Sequence, residues 1–142
     1  MAKDTIIEFV KHINNHDAEG IANLLSDDHS FVDAYGQCIT GKEEMKKAWE
    51  VYFEWFPDYV ISISEIISGK QCTAMLGNAS GTYKGIKNDT NSFYWRLPAA
   101  WKIIVENDKI KHWQVYCDTK MPSEIMGKNN PPKPPQTTPF YK

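Results

Sequence analysis

The chain has 142 residues and a formal net charge of −2, enough sequence for one domain with a substantial core. Its 16 basic residues are scattered, so no basic stripe indicates nucleic-acid binding. No stretch is long and apolar enough to predict a membrane span. Three cysteines without metal-like spacing, and an N-terminus without an apolar signal segment, predict a reduced, cytoplasmic protein.

Two short helices are predicted at the start of the chain. The first opens with Thr5 and Glu8, which have the spacing of a capping box, and apolar residues follow at helical intervals. The polar residues 14–16 break this helix, and Asp17 is placed to cap the second one. Two short helices in succession predict a layer that covers a sheet.

A third helix with a broad apolar stripe follows two short strand candidates at residues 29–35 and 37–39. Thr40 and Glu43 make a second capping box, and Pro57 ends the helix. The stripe consists of Met45, Ala48, Trp49, Tyr52, Phe53 and Phe56.

The second half of the chain has the alternation typical of strands, at residues 59–68, 71–83, 92–106 and 109–119. Asn107 and Asp108 predict a tight hairpin, and Pro98 implies a bulge or an edge position. Helices followed by an antiparallel meander predict an α+β fold, with a curved sheet around one apolar helix and a pocket between them. We expect one domain at 1–121 and an extended proline-rich tail with polyproline II character at 122–142.

Asp33 is the first candidate catalytic residue. It lies in a short apolar run before Gly36, and apolar surroundings suit an acid or base that works near neutral pH. The alternative is an Asx-type turn closed by Gly36, which is the commoner use of such an aspartate.

Asp118 and His112 are candidates on the last strand. By the period of two they share a face with Tyr116, and either face of that strand could be inward. His112 could carry a proton near neutral pH, although a strand histidine is more often structural. Asp118 could instead bind loop amides at the end of the strand.

Arg96 is the only arginine in the chain, and it stands in the aromatic run 93–96. Its planar guanidinium could pair with Asp33 or Asp118, or hold a carboxylate or carbonyl group of a ligand. It could equally lie along the outer face of the sheet. His12 and His16 have the spacing of a metal pair without a third ligand, so no metal or organic cofactor is implied.

Further candidates for lining a pocket are aromatic side chains, although such residues on a helix are usually core. They are Tyr116, Trp49, Tyr52, Phe9 and Trp95.

An ordered set of short motifs covers about residues 4–120. The set resembles the SnoaL-like and ketosteroid-isomerase-like branch of the nuclear transport factor 2-like superfamily. The motifs are Asp33-x-x-Gly36 with Gly41 opening a helix, Phe56-Pro57-Asp58, Gly81-Thr82-x-x-Gly85, and Val115-Tyr116-Cys117-Asp118.

The resemblance implies a cone-shaped, strongly curved antiparallel sheet wrapped around N-terminal helices, and a homodimer. It also implies a pocket for a small apolar carbonyl compound, with carboxylate acid/base chemistry that gives isomerisation, cyclisation or hydration. The alternatives are a non-catalytic small-ligand binder of the same fold and a protein-interaction module whose cavity is plugged by tryptophans.

The resemblance assigns roles residue by residue. Asp33 corresponds to the general base of ketosteroid isomerase, but Phe9 stands where that enzyme has a tyrosine donor, and its later acid falls near Ala99 or Ala100. Steroid isomerase activity is therefore not expected. Limonene-epoxide hydrolases need an Asp-Arg-Asp set, of which Arg96 and Asp118 could supply two members. Pro98 stands where the aspartate two residues after the arginine is expected. SnoaL-like cyclases rely mainly on one aspartate, which Asp118 or Asp33 could supply.

Overall fold

The computed structural model describes residues 2–129, which form four α-helices, a short 3₁₀ turn and one six-stranded sheet. The α+β fold predicted from the sequence is confirmed. The helices are α1 (Ala2–Asn14), α2 (Ala18–Asn23), α3 (Lys42–Trp55) and α4 (Lys120–Asn129), and the 3₁₀ turn is Tyr83–Gly85. The strands are β1 (Leu25–Val32), β2 (Cys38–Thr40), β3 (Val60–Ser68), β4 (Thr73–Thr82), β5 (Tyr94–Glu106) and β6 (Lys109–Tyr116).

The strands lie in the order β2-β1-β6-β5-β4-β3. Strands β3 to β6 form the predicted antiparallel meander, with Asn107 and Asp108 at positive φ in the tight hairpin before β6. Strand β1 runs parallel to β6, with Phe31 beside Trp113. This parallel pair makes the sheet mixed and joins the N-terminal half of the chain to its last strand.

The core lies between the sheet and helices α1 and α3. Ile6, Phe9 and Ile13 of α1 are at most 1% exposed, and the Phe9 ring meets the edge of Trp113 with centroids 4.9 Å apart. From α3, Met45 and Trp49 are buried against the same layer. The apolar stripes read from the sequence therefore face inward, as amphipathic helices require.

Two local features shape the sheet. The register of β3 against β4 shifts between Ile63 and Glu65, and Gly77 lies opposite, where an added Cβ would fall on the carbonyl oxygen of Ser62. Such a bulge with a close backbone approach bends a strand. Pro98 lies where β5 has only β4 beside it, because the pairing with β6 begins at Ala100, so the predicted edge position is confirmed.

The capping boxes predicted at Thr5 and Thr40 are wrong. Helix α1 begins before Thr5, which is buried within the helix. Helix α3 begins after Gly41, which has a φ of 91° and occupies the N-cap position without a side-chain hydrogen bond. The cap predicted at Asp17 is confirmed, since its Oδ1 accepts a hydrogen bond of 2.9 Å from the backbone N–H of Gly20.

The predicted extended tail is wrong over residues 122–129, which belong to α4. Pro122 is tolerated because it lies in the first turn, where a backbone N–H has no helical partner. The proline-rich segment 131–135 lies outside the described residues, and the division of the chain at residue 121 stays a prediction.

Candidate functional site

A cavity of about 70 Å³ lies between α3, the inner face of the sheet and the first turn of α4. This volume can hold several water molecules or a small organic group. Eight of the lining residues are aromatic: Phe31, Tyr35, Trp49, Tyr52, Tyr59, Trp95, Trp101 and Trp113. The other lining residues are Asp33, Ala34, Ala79, Leu97, Ala99, Val115, Cys117, Thr119 and Pro122. The tryptophans thus form the wall without filling the space.

The alternation of β5 and β6 decides which side chains reach the cavity. On β5, every second residue from Trp95 to Trp101 lines it, and on β6 Trp113 and Val115 do so. The chain continues this pattern to Cys117 beyond the end of β6. The sequence did not decide which face of β6 is inward, and the cavity lining does. The face with Trp113 and Val115 is inward, and the face with His112 and Tyr116 is outward.

Asp33 lines the cavity and is only 4% exposed. Its Oδ1 accepts hydrogen bonds of 2.9 Å from the backbone N–H groups of Tyr35 and Gln37. The turn is closed by a bond from Gly36 N–H to the Asp33 carbonyl oxygen, and Gly36 takes a φ of 84° that favours glycine. The predicted Asx-type turn is confirmed, and it fixes the Asp33 carboxylate in the cavity wall; the catalytic role of Asp33 stays a prediction.

Tyr59 is a lining residue that the sequence did not single out. Burial raises the pKa of its hydroxyl far above the ordinary value, and the Tyr52 hydroxyl hydrogen-bonds to it. The Tyr59 hydroxyl therefore stays protonated at neutral pH and remains a hydrogen-bond donor. A signal was present, because Tyr59 directly follows the Phe56-Pro57-Asp58 motif.

Cys117 also lines the cavity, and it is not placed for nucleophilic chemistry. Burial, with a further contribution from the negative charge of Asp118, raises the pKa of its thiol to about 11. Since the thiolate is the reactive form, Cys117 is a small apolar group of the wall at neutral pH.

Three of the four predicted catalytic residues lie outside the cavity lining. Asp118 is exposed, and its Oδ1 accepts a hydrogen bond of 2.9 Å from the backbone N–H of Lys120 at the start of α4. Arg96 is exposed between two inward residues of β5. His112 is half-buried on the outward face, where its Nδ1 lies 2.7 Å from Ser30 Oγ. The structure therefore does not bring Asp118, Arg96 and His112 together with Asp33.

The predicted ligand-binding residues divide in the same way. Trp49, Tyr52 and Trp95 line the cavity. Phe9 lies in the core against Trp113, and Tyr116 is 52% exposed on the outer face. Trp101 and Trp113 were predicted only as tryptophans that could plug the cavity, and they line it. The period of two along β5 places Trp101 on the face of Trp95, and the pairing of Trp113 with Ile103 places Trp113 on the same face.

Residues 2–129 contain neither a metal-type cluster nor a membrane-spanning helix. Within that range no three His, Cys, Asp or Glu side chains are grouped as a metal site would require. No helix in the same range has the length and hydropathy needed to span a bilayer.

A mixed, curved sheet with N-terminal helices around an apolar cavity is the α+β fold of nuclear transport factor 2-like proteins. The sequence profile of the SnoaL-like domain matches residues 6–113, which is more than half of the 142 residues, and the chain belongs to this family. A comparison with curated protein sequences gave no match.

Solved structures share the fold at low sequence identity. A proposed SnoaL-like polyketide cyclase from Shewanella denitrificans aligns with a TM-score of 0.74 and 12% identity over 89% of this chain and 96% of its own. The LEH-like epoxide hydrolase of M. tuberculosis aligns with a TM-score of 0.71 and 12% sequence identity, and the alignment covers 88% of each chain. A Catenulispora acidiphila protein with a ketosteroid isomerase-like fold was solved in complex with trimethylamine. It aligns with a TM-score of 0.68 and 17% sequence identity over 79% of this chain and 83% of its own. At these identities the likeness shows the fold alone.

Proposed function

We propose that this protein binds a small, largely apolar organic molecule in the cavity and that Asp33 exchanges a proton with it. The observation that carries the proposal is the position of Asp33. It is the one carboxylate among the described lining residues, and two backbone N–H groups fix its Oδ1 in a wall that is otherwise mostly aromatic. A positioned carboxylate in such a setting is a candidate general base.

The proposed substrate is an apolar carbonyl compound. Asp33 would accept a proton from the carbon next to the carbonyl group, and the negative charge would then develop on the carbonyl oxygen. The Tyr59 hydroxyl, which is protonated at neutral pH, would donate a hydrogen bond to that oxygen. Return of the proton to another atom would complete an isomerisation, and attack of the enolate carbon on a second carbonyl carbon of the same molecule, whose oxygen takes up the proton, would complete a cyclisation. In a hydration Asp33 would instead take a proton from water while the water oxygen adds to a double bond conjugated to the carbonyl group, and the proton would return to the other carbon.

A sensitive test is the incorporation of deuterium from D₂O into a carbonyl compound, because it detects proton abstraction before any product is known. The protein and a matched Asp33→Asn variant are incubated with a panel of apolar ketones and aldehydes, and mass spectrometry follows the exchange. Asparagine keeps an oxygen that can accept the two backbone N–H bonds, but it cannot take up the proton. We expect exchange above the buffer rate that Asp33→Asn abolishes. Equal exchange in both proteins would contradict the role of Asp33.

Non-catalytic binding in the same cavity is the second candidate. It is favoured by the two hydrogen bonds that already use Asp33 Oδ1 to build the turn. The trimethylamine bound to the Catenulispora acidiphila protein shows that a fold neighbour was crystallised with a small ligand. Saturable quenching of tryptophan fluorescence by compounds that never exchange deuterium would favour this candidate, since four of the five tryptophans line the cavity.

The homodimer and the cytoplasmic location are proposed on the resemblance and on composition. Sedimentation velocity at micromolar concentration measures the oligomeric state, and a monomer at that concentration would contradict the proposed homodimer. Fractionation of cells that express the protein measures the second.

A further inference from the structure

The indole nitrogen of Trp95 is a buried donor without a hydrogen-bond partner among the described residues. Trp95 is 3% exposed, and its side chain lines the cavity. An indole N–H group can only donate, so it needs an acceptor. Buried polar groups of native proteins are almost always paired, and one that is left unpaired calls for an explanation.

The packing around Trp95 fixes its indole ring in place. The Phe56 ring meets it at a centroid distance of 5.2 Å with the planes at 86°, and the Tyr59 ring lies 6.1 Å away at 46°. On the neighbouring strand β4, a Cβ added to Gly81 would lie 3.3 Å from Trp95 Cζ2. The ring therefore has little room to turn its N–H group towards another part of the protein.

The composition of the wall restricts the charge of an acceptor that enters the cavity. The described lining residues include no lysine, arginine or histidine that would pair with an anion. Moving a carboxylate from water into a mostly apolar wall without a paired cation costs far more free energy than moving a ketone oxygen. A ligand that displaces water must nevertheless offer an acceptor in its place, or its binding is weakened.

From these observations we infer that Trp95 Nε1 donates a hydrogen bond to a neutral carbonyl oxygen of the ligand and thereby selects which apolar molecules bind. The inference rests on the proposed function and deepens it by naming a residue that recognises the carbonyl group. A carbonyl oxygen has two lone pairs, so this bond is compatible with the one proposed from Tyr59. An apolar molecule of the same shape without an acceptor leaves the indole N–H unpaired and is disfavoured for that reason.

Two compounds of matched shape test the inference on the intact protein. Cyclopentanone carries the carbonyl group, and methylenecyclopentane replaces its oxygen by an apolar methylene carbon. The indole N–H signals of the five tryptophans are followed by nitrogen–proton NMR during each titration. We expect cyclopentanone to move the Trp95 indole proton saturably downfield, and methylenecyclopentane to bind without this shift. The Trp95 signal is assigned by its nuclear Overhauser contacts with Phe56, so the result does not depend on a variant that folds.

Two matched variants assign the effect to Trp95. Trp95→Phe removes the N–H group and keeps an aromatic ring, and Trp113→Phe does the same to a second lining tryptophan, whose nitrogen is not among the buried unpaired atoms of the described residues. Because the two compounds differ in their transfer from water, the quantity compared between proteins is the ratio of their dissociation constants. We expect Trp95→Phe to shift this ratio against the ketone by about three- to tenfold and Trp113→Phe to leave it unchanged.

The outcomes separate the role of Trp95 from the proposed function. An unshifted Trp95 proton at saturating cyclopentanone, or an unchanged ratio in Trp95→Phe, would overturn the inference and leave a weak N–H···π contact with Phe56 as the partner of this donor. Failure of both compounds to bind at millimolar concentration would overturn it as well. A ketone that shifts the indole proton without any Asp33-dependent deuterium exchange would support the role of Trp95 and contradict the proposed proton transfer. Asp33-dependent exchange without the indole shift would have the opposite meaning.

Discussion

The hydroxyl groups of Tyr35 and Ser123 lie 2.8 Å apart, and their hydrogen bond joins the loop after Asp33 to the first turn of α4. The same loop and helix contribute Ala34 and Pro122 to the cavity wall. Few of the described side chains of α4 are buried, and Ile125 is one of them. The bond therefore fastens a lightly packed helix beside the candidate base.

Replacing Tyr35 by phenylalanine should loosen α4 more than it destabilises the domain. The bond is exposed, so its loss should cost no more than about 1 kcal/mol of unfolding free energy. The amides of α4 should nevertheless exchange faster with D₂O, because segments with few buried contacts open locally. Hydrogen exchange with mass spectrometry measures this, with Tyr94→Phe as the control for an exposed tyrosine. Unchanged exchange in α4 would show that its apolar contacts suffice.

Asp33 should matter to stability through its two backbone hydrogen bonds. Asp33→Ala leaves the N–H groups of Tyr35 and Gln37 without their acceptor, and we expect a loss of about 1–3 kcal/mol. Asp33→Asn should lose clearly less unfolding free energy, because the amide oxygen of asparagine can accept the two hydrogen bonds in place of Oδ1. Urea unfolding of the three proteins gives the values. Equal destabilisation by both variants would mean that the charge, and not the acceptor, holds the turn.

His29 should make the fold sensitive to mild acid. Burial lowers the pKa of His29 from 6.5 to about 4, and its Nδ1 lies 2.8 Å from the Ile110 carbonyl oxygen. Between pH 6.5 and pH 4, His29 is protonated in the unfolded chain and neutral in the folded protein. The free energy of unfolding therefore falls as the pH falls from 6.5 towards 4. The full effect is about 3 kcal/mol.

A matched variant isolates this effect from other titrating groups. In His29→Asn the side-chain amide can occupy the position of Nδ1 and still donate to Ile110. Urea unfolding at pH 7 and pH 5 should show a smaller pH dependence in the variant than in the unchanged protein. The same pH dependence in both would assign acid sensitivity to other residues.

The three cysteines should react with thiol reagents in a fixed order. Cys38 is exposed, whereas Cys117 is half-buried, and its raised pKa of about 11 leaves roughly one thiolate in 10,000 at pH 7. Mass spectrometry after brief alkylation should find Cys38 modified first and Cys117 last. Rapid modification of Cys117 in the folded protein would show that the cavity opens readily.

Two glycine substitutions should have opposite effects. In Gly77→Ala the new Cβ would meet the Ser62 carbonyl oxygen, and overpacking against backbone should cost roughly 1–3 kcal/mol or more. In Gly127→Ala the Cβ meets no described atom within 4 Å in α4, and alanine is the better helix former. Thermal unfolding should show a lower midpoint for the first variant and an unchanged or higher one for the second.

The sequence predicted the elements that depend on periodicity and failed where a single side chain had to be placed. The inward stripes of α1 and α3 and the meander of β3 to β6 followed from spacing alone. The helix starts at Thr5 and Thr40 were wrong, because backbone geometry at Gly41 and an earlier start of α1 outweighed local capping patterns. Helix α4 was missed because the prolines beyond residue 130 dominated the composition of the whole C-terminal segment.

The candidate site was predictable only in part for the same reason. Asp33 was identified from its apolar run and the turn at Gly36. Its two sequence-distant candidate partners, Arg96 and Asp118, could not be assigned, because a one-residue difference in strand phase moves a side chain to the other face. The motif before Tyr59 indicated its place in the chain, but its raised pKa results from burial between α3 and strand β5, for example against Trp95, which local spacing does not predict.

The parallel pairing of β1 with β6 has a consequence for how the chain is synthesised and folds. Ser30 on β1 contacts His112 on β6, a separation of 82 residues, so the central contact of the sheet spans most of the domain. A nascent chain that lacks β6 leaves one edge of β1 without its final neighbour until residues 109–116 have been synthesised. Long-range pairings of this kind slow folding, because a large loop must close before any contact stabilises it. Truncation before residue 109 would therefore remove the strand that connects the two halves of the sheet.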